Sequence, residues 1–285
     1  MLVRNETRII ATGCNASDQM KPISFFATHP VFTREQFLAA IEASDAQGRR
    51  AEFLLRHHSA AGRIVRVRRG LYATVPAGTD PGAVVVDPFL LATALQRDAV
   101  VAYHAALQFR GRTYSAWHRF HYVTSHRVRP VHFRGSDFVP VPPPRTRAGE
   151  WNSARGFVEE RHGGGVVRVT TYERTLVDLL TSPDLGGGWE EVFRSLEMVE
   201  FFDLDAVVAY TLALGSSTVT ARVGFFLEQH RESLMVEGFH LDGLRRHVPK
   251  QPLYFDPRRE SGKLVKEWNL IVPERVLGRT WAEVP

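Results

Sequence analysis

Between residues 32 and 76 the spacing of apolar positions changes character twice. In "FTREQFLAAIEAS" the positions Phe37, Leu38 and Ile41 fall on one side of a helix, and Thr33 followed three residues later by Gln36 has the spacing of a capping box. After a short "DAQG", the stretch "RRAEFLLRHHSAAG" sets Ala51, Leu54, Leu55 and His58 at the i, i+3, i+4, i+7 repeat of a second helix, which Gly62 stops. The period then drops to two. In "GRIVRVRRGLYATVP" the alternation predicts Val65 and Val67 on one strand face and Arg66 and Arg68 on the other, with Arg69 and Gly70 at the bend of a hairpin. Helix, turn, helix, hairpin is the order of a winged helix-turn-helix. Residues 1–28 show no clear period and are expected to form a loose segment. The first helix of a three-helix core is expected within residues 11 to 25, or from "DPFLLATALQ" (87–96).

Further along, residues 87 to 110 look helical, with "YHAALQF" as a second short piece. From "FHYVTS" to "VPVPPP" the pattern turns strand-like. "VPVPPPRTRAGE" reads either as a linker or as an edge strand followed by a turn. "GGGVVRVTT" predicts a glycine turn into a strand. "TYERTLVDLL", "GWEEVFRSLEMV", "DLDAVVAYTLAL" and "STVTARVGFFLEQH" predict helices, and "PLYFDP" and "WNLIVP" predict short strands. The expected class is α+β: a winged helix-turn-helix over residues 29–80, then a mixed, mostly helical domain with a small sheet over 81–285.

At 285 residues two domains are the default, and 44% apolar with 24% charged residues is ordinary for a globular chain. No run of eighteen apolar residues occurs, and the start lacks the apolar stretch of a signal peptide, so a cytosolic, membrane-free address is expected. Cys14 is the lone cysteine, which excludes an internal disulfide and a multi-cysteine zinc site. Charge is uneven: residues 1–150 carry 20 Lys and Arg against 11 Asp and Glu, whereas residues 151–285 carry 16 against 20. The basic half suggests a polyanion as partner.

The densest positive stretch sharpens that suggestion. Residues 49 to 69 hold seven arginines and one acid, Glu52. Such charges repel one another in isolation and are relieved against a duplex bearing a charge every ~1.7 Å of axis. On the second helix, Arg49, Arg50, Phe53, Arg56 and His57 face away from the apolar stripe. Arg49 and Arg50, near its start, suit bidentate bonds to guanine edges, whereas Arg56 and His57 suit phosphates. Arg66, Arg68 and Arg69 on the hairpin complete the expected DNA-binding set, with Arg69 placed to enter a minor groove. No catalytic residue, metal or cofactor is expected.

Other constellations are weaker. Thr170 and Glu173 have capping-box spacing at the start of "YERTLVDLL". Arg174 and Asp178 can pair four residues apart, and Tyr172, Leu176, Leu179 and Leu180 form the buried stripe. Glu173 and Asp178 would serve a metal-dependent nuclease, though a cap and an ion pair explain them without chemistry. His118, His121, His126 and His132 form a loose group with thin carboxylate support, better suited to extending a basic surface than to holding a metal. "RHGGGVV" and "DLGGGWEE" lack the lysine of a phosphate-binding loop, and Ser153, Ser182 and Ser195 lack a nucleophile setting.

"VFTREQFLAAI" followed by "RIVRVRRGLYATVP" resembles the N-terminal winged-helix segment of AbiEi-type antitoxins of type IV toxin–antitoxin systems. "YHAALQFRG", "VTTYERTLVDLL", "VTARVGFFLE" and "WNLIVP" are similar to the C-terminal region of that family, in the same order, over residues 30 to 275; the chain departs from the pattern at His104, where a serine is expected. The resemblance implies a repressor of its own operon that binds inverted repeats in promoter DNA. It also implies a C-terminal region that counters a nucleotidyltransferase-like toxin without requiring a stable complex with it. It carries no catalytic residues onto the chain. The alternative is a winged-helix regulator whose C-terminal domain senses a small ligand.

Overall fold

The computed structural model describes residues 21–41, 48–146 and 156–281. The chain divides into two units, Met1–Gly82 and Ala83–Pro285. The "DAQG" turn up to Ala46 and Gln47, the end of the proline-rich run beyond Thr146, and Ser153 lie outside the described residues.

The first unit runs α1 (Pro22–Thr28), β1 (Val31–Thr33), α2 (Arg34–Ala40), α3 (Gly48–Ala60), β2 (Ile64–Arg68) and β3 (Leu71–Thr74). β3 lies between β1 and β2 and is antiparallel to both. This is a winged-helix arrangement. Residues 22–28 therefore correct the expected loose start: α1 supplies the first helix of the core, and its buried Phe25 and Phe26 are adjacent, so they show no period. Phe25 and Phe26 of α1 meet Phe32 and Phe37 with ring centroids 5.1 to 5.6 Å apart. Ala51, Leu55 and Ile64 close this core, with Leu38, Ile41 and Tyr72 packed against it. The capping box is present. The Gln36 backbone N–H donates to Thr33 Oγ1 at 3.2 Å, and the Thr33 N–H donates to Gln36 Oε1 at 2.7 Å.

The second unit begins with α4 (Pro88–Ala94), capped by Asp87, whose carboxylate accepts the Phe89 and Leu90 N–H groups. Between α4 and α5 (His104–Phe109) the expected helical run is broken by β4 (Val100–Val101). β4 holds the middle of a six-stranded sheet with β5 (Arg119–Val123), β6 (Val131–Phe133), β7 (Ser136–Val141), β8 (Phe157–His162) and β9 (Gly165–Thr170), in the order β6-β7-β5-β4-β9-β8. β7 is flanked by β6 and β5 and takes in Val139–Val141 at the start of the proline-rich run, where β5 alone pairs with it. Pro140 is tolerated there because β6 pairs β7 only as far as Phe138. Phe89 of α4 packs on the sheet face that carries Phe120, at 5.4 Å. Val123, on the opposite face by the two-residue period, enters the large helical core.

That core is built by α6 (Tyr172–Thr181), α7 (Trp189–Glu197), α8 (Leu204–Leu214), α9 (Ser217–Gln229) and α10 (Gly238–Arg245). A three-stranded sheet of β10 (Leu253–Tyr254), β11 (Lys263–Val265) and β12 (Leu270–Val272) and a final turn α11 (Glu274–Leu277) complete the unit. The cap of α6 is Thr171, which accepts the Arg174 N–H, and not Thr170. Glu173 instead accepts the backbone N–H of Asp203, the cap of α8. The Arg174–Asp178 pair forms as spaced, 3.1 Å apart and fully buried.

Two substitutions probe these units separately. Thr33→Ala removes the cap of α2 and is expected to lower the unfolding free energy of the first unit by about 1 kcal/mol in urea titrations. Gly224 lies under the Trp268 ring so closely that a Cβ would overlap it. Gly224→Ala is expected to cost the second unit roughly 1–3 kcal/mol, read by thermal unfolding.

Candidate nucleic-acid interface

α3 has two distinct faces. Ala51, Leu55 and His58 are buried, the last with its ring 4.9 Å from Phe26. Arg49, Arg50, Glu52, Phe53, Arg56 and His57 are exposed. Glu52 and Arg56 pair at 3.1 Å, both well exposed, so that Arg56 is partly neutralised by its own helix. An exposed pair of this kind contributes little to stability and yields readily to a phosphate. Among the described residues Arg49, Arg50, Arg66 and Arg69 have no ion pair. Burial, then the charge of Arg63, then His57, lower the pKa of His58. The Arg63 guanidinium donates to His58 Nδ1 at 3.2 Å, so Arg63 braces the buried face of α3.

The hairpin departs from the expected alternation. Arg66 stands opposite Tyr72 but Arg68 stands opposite Leu71, because Val67 is an extra residue in β2, a β-bulge. Leu71 and Tyr72 point to opposite faces, so their partners do too. Arg66 and Arg68 therefore do not share a face. Arg66 lies on the face of Ile64 and Tyr72, beside α3. Arg68 lies on the other and is half-buried. Arg69 and Gly70 make the tight turn, with Gly70 at φ 79°, and the Gly70 carbonyl accepts the Arg34 N–H at 2.8 Å. The wing tip is thus tied to the start of α2, and Arg69 projects from a braced turn. The bulge has no signature in the sequence, since "VRVR" (65–68) alternates straight through Val67.

These features compose a helix with an outward basic face beside a short arginine-bearing hairpin. Residues 20–75 match the family model for the transcriptional regulator, AbiEi antitoxin. The AbiEi-like segment runs from α1 to the end of β3 and contains all eight residues expected to meet DNA. The likeness of this segment to a family of transcriptional regulators and antitoxins supports a DNA-binding regulator role. No curated protein matches the chain. The crystal structure of the RV2827C protein from Mycobacterium tuberculosis superposes with a TM-score of 0.57 at 17% identity, covering 87% of each chain, a likeness of fold. No helix among the described residues is long and apolar enough to cross a membrane.

The groups considered for other chemistry are engaged within the second unit. Asp178 accepts from Arg174 and from the Tyr210 hydroxyl at 2.8 Å, and burial raises its pKa. Glu173 serves the α8 cap as described, so Glu173 and Asp178 do not form a paired site. The histidines scatter: His132 bonds Asp137 at 2.8 Å, His126 lies 3.8 Å from Asp98, and His121 is buried. Among the described residues no group of three His, Cys, Asp or Glu side chains could hold a metal. His104, at the position where a serine is expected, is buried. Its Nε2 lies 3.0 Å from Glu191 and its ring stacks on Trp117 at 3.9 Å. A cleft of about 470 Å³ is lined by Trp189, Glu190, Asp184, Asp256, Arg258 and Arg275, among others. Within it Arg258 pairs with Asp184 at 3.1 Å, whereas the close partner of Arg275 is Glu260 and that of Glu190 is Arg194.

Burial, then Arg119, then His104 push His121 down to about 4 from 6.5. The folded unit therefore holds His121 neutral, while the unfolded chain takes up a proton below 6.5. Stability from this group is full above that pH and is lost as the pH falls toward 4. Urea midpoints measured from pH 7 to 4 are expected to fall for the wild type and to fall less steeply for His121→Gln.

Proposed function

We propose that the protein is a transcriptional repressor that binds inverted repeats in the promoter of its own operon through α3 and the β2–β3 hairpin, and that its second unit counteracts a nucleotidyltransferase-like toxin. The observation that carries the reading is the outward face of α3, where Arg49 and Arg50 stand exposed at the helix start, without ion pairs among the described residues, while Ala51, Leu55 and His58 anchor the opposite side. The start of a recognition helix is where side chains reach base edges. Arg49 and Arg50 read sequence. Arg56, His57, Arg66 and Arg69 hold phosphates, with Arg56 exchanging Glu52 for the backbone. Arg68, on the far face of the hairpin, contributes less than the regular alternation implies.

The arginine-rich surface requires no cofactor, and the protein acts in the cytoplasm on double-stranded DNA. Repression and protection are separable in this reading. Arg49→Ala with Arg50→Ala is expected to cost about 1–3 kcal/mol for each bidentate arginine–guanine pairing that is removed. It should abolish the protected footprint on the chain's own promoter while leaving rescue of toxin-expressing cells intact. Loss of rescue with an unchanged footprint would contradict the assignment. Arg66→Ala with Arg69→Ala should flatten the dependence of log affinity on log salt by roughly 0.9 for each phosphate no longer neutralised, with Arg68→Ala flattening it less. Equal slopes for wild type and the double variant would remove the hairpin from the interface.

A further inference from the structure

Phe53 is a large apolar side chain left 66% exposed on an otherwise polar helix face. With 3.6 residues per turn it lies about 160° around α3 from both Ala51 and Leu55, so it stands at the crest of the face turned away from the core. The surface neighbours of a helical residue are those three and four positions away. For Phe53 these are Arg49, Arg50, Arg56 and His57, four hydrogen-bonding side chains, all exposed. The ring is also braced: the His57 imidazole lies 6.3 Å away and within 14° of parallel. A phenyl group at the centre of a cationic face neither donates nor accepts a conventional hydrogen bond. Against a duplex it gains by covering apolar surface, and on the major-groove edges of the base pairs the apolar group is the C5 methyl of thymine.

We propose that Phe53 is a specificity-determining residue that recognises the thymine methyl group, while Arg49 and Arg50 beside it read guanine. This rests on the DNA reading of α3 given above. It adds a base preference that the arginines do not supply, and it places the thymine between the positions they read, because Phe53 lies between them around the helix.

The test uses the full chain and a duplex enriched from a randomised pool. Each thymine is replaced in turn by deoxyuridine, which lacks only the methyl. The wild type is expected to lose about fourfold in affinity at the thymine that Phe53 covers, the value of one buried methyl. Phe53→Ala should bind the thymine and uracil duplexes equally at that position, and Phe53→Leu should retain part of the difference. Unchanged circular dichroism is expected for both variants, since the side chain is exposed. A wild type indifferent to every replacement, or a Phe53→Ala variant with the full wild-type ratio, overturns the assignment of Phe53 and leaves DNA binding standing. Failure to enrich any duplex overturns the DNA reading itself, and this inference with it.

Discussion

The anchoring of α3 on the phenylalanine core decides what the first unit can present to a partner. Ala51 and Leu55 sit against Phe25, Phe26, Phe32 and Phe37, and His58 packs edge-on to Phe26. A helix held by that side has no freedom to turn its arginines inward. Burying them would strip guanidinium groups of water without partners. The same core carries Ile64, which places Arg66, two residues farther along β2, on the α3 side of the hairpin. The basic helix face and the wing thus derive from one packing arrangement.

The second unit solves a different problem. Its central strand β4 is two residues long and is held by β5 on one side and β9 on the other, so the sheet is a tertiary object more than a local one. The buried polar groups there are tied into networks: Arg174, Asp178 and Tyr210 in one, His104, Glu191, Ser115 and Trp117 in another. Groups of this kind are expensive to bury singly, and once paired they favour one arrangement of helices over its competitors. Glu191 alone accepts from the Ser115 backbone and hydroxyl, and from the Ser195 hydroxyl at 3.2 Å. Carboxylates occupied in this way tie neighbouring elements together.

What could be seen along the chain was whatever has a local cause. α2 and α3 show in the three-to-four spacing of Phe37, Leu38 and Ile41 and of Ala51, Leu54, Leu55 and His58. The Thr33–Gln36 cap shows because both partners lie within one turn. α1 did not show, since its two buried phenylalanines, Phe25 and Phe26, are adjacent and give no three-to-four repeat. Thr170 and Thr171 are neighbours with equal capping chemistry. The choice fell to Thr171 because Thr170 ends β9 and its hydroxyl is bonded to Thr175 at 2.7 Å.

By itself, then, the sequence determined the amphipathic helices, the hairpin turn at Gly70 and the clustering of arginine between residues 49 and 69, all of which depend on interactions within a few residues. Only the tertiary structure decided which hairpin arginines lie beside α3. That depends on the register between β2 and β3, and one bulge at Val67 reverses the facing of every residue beyond it. It likewise decided that Val100 and Val101 form a strand and not part of a helix, because two residues acquire extended structure only when strands distant in sequence supply their hydrogen bonds.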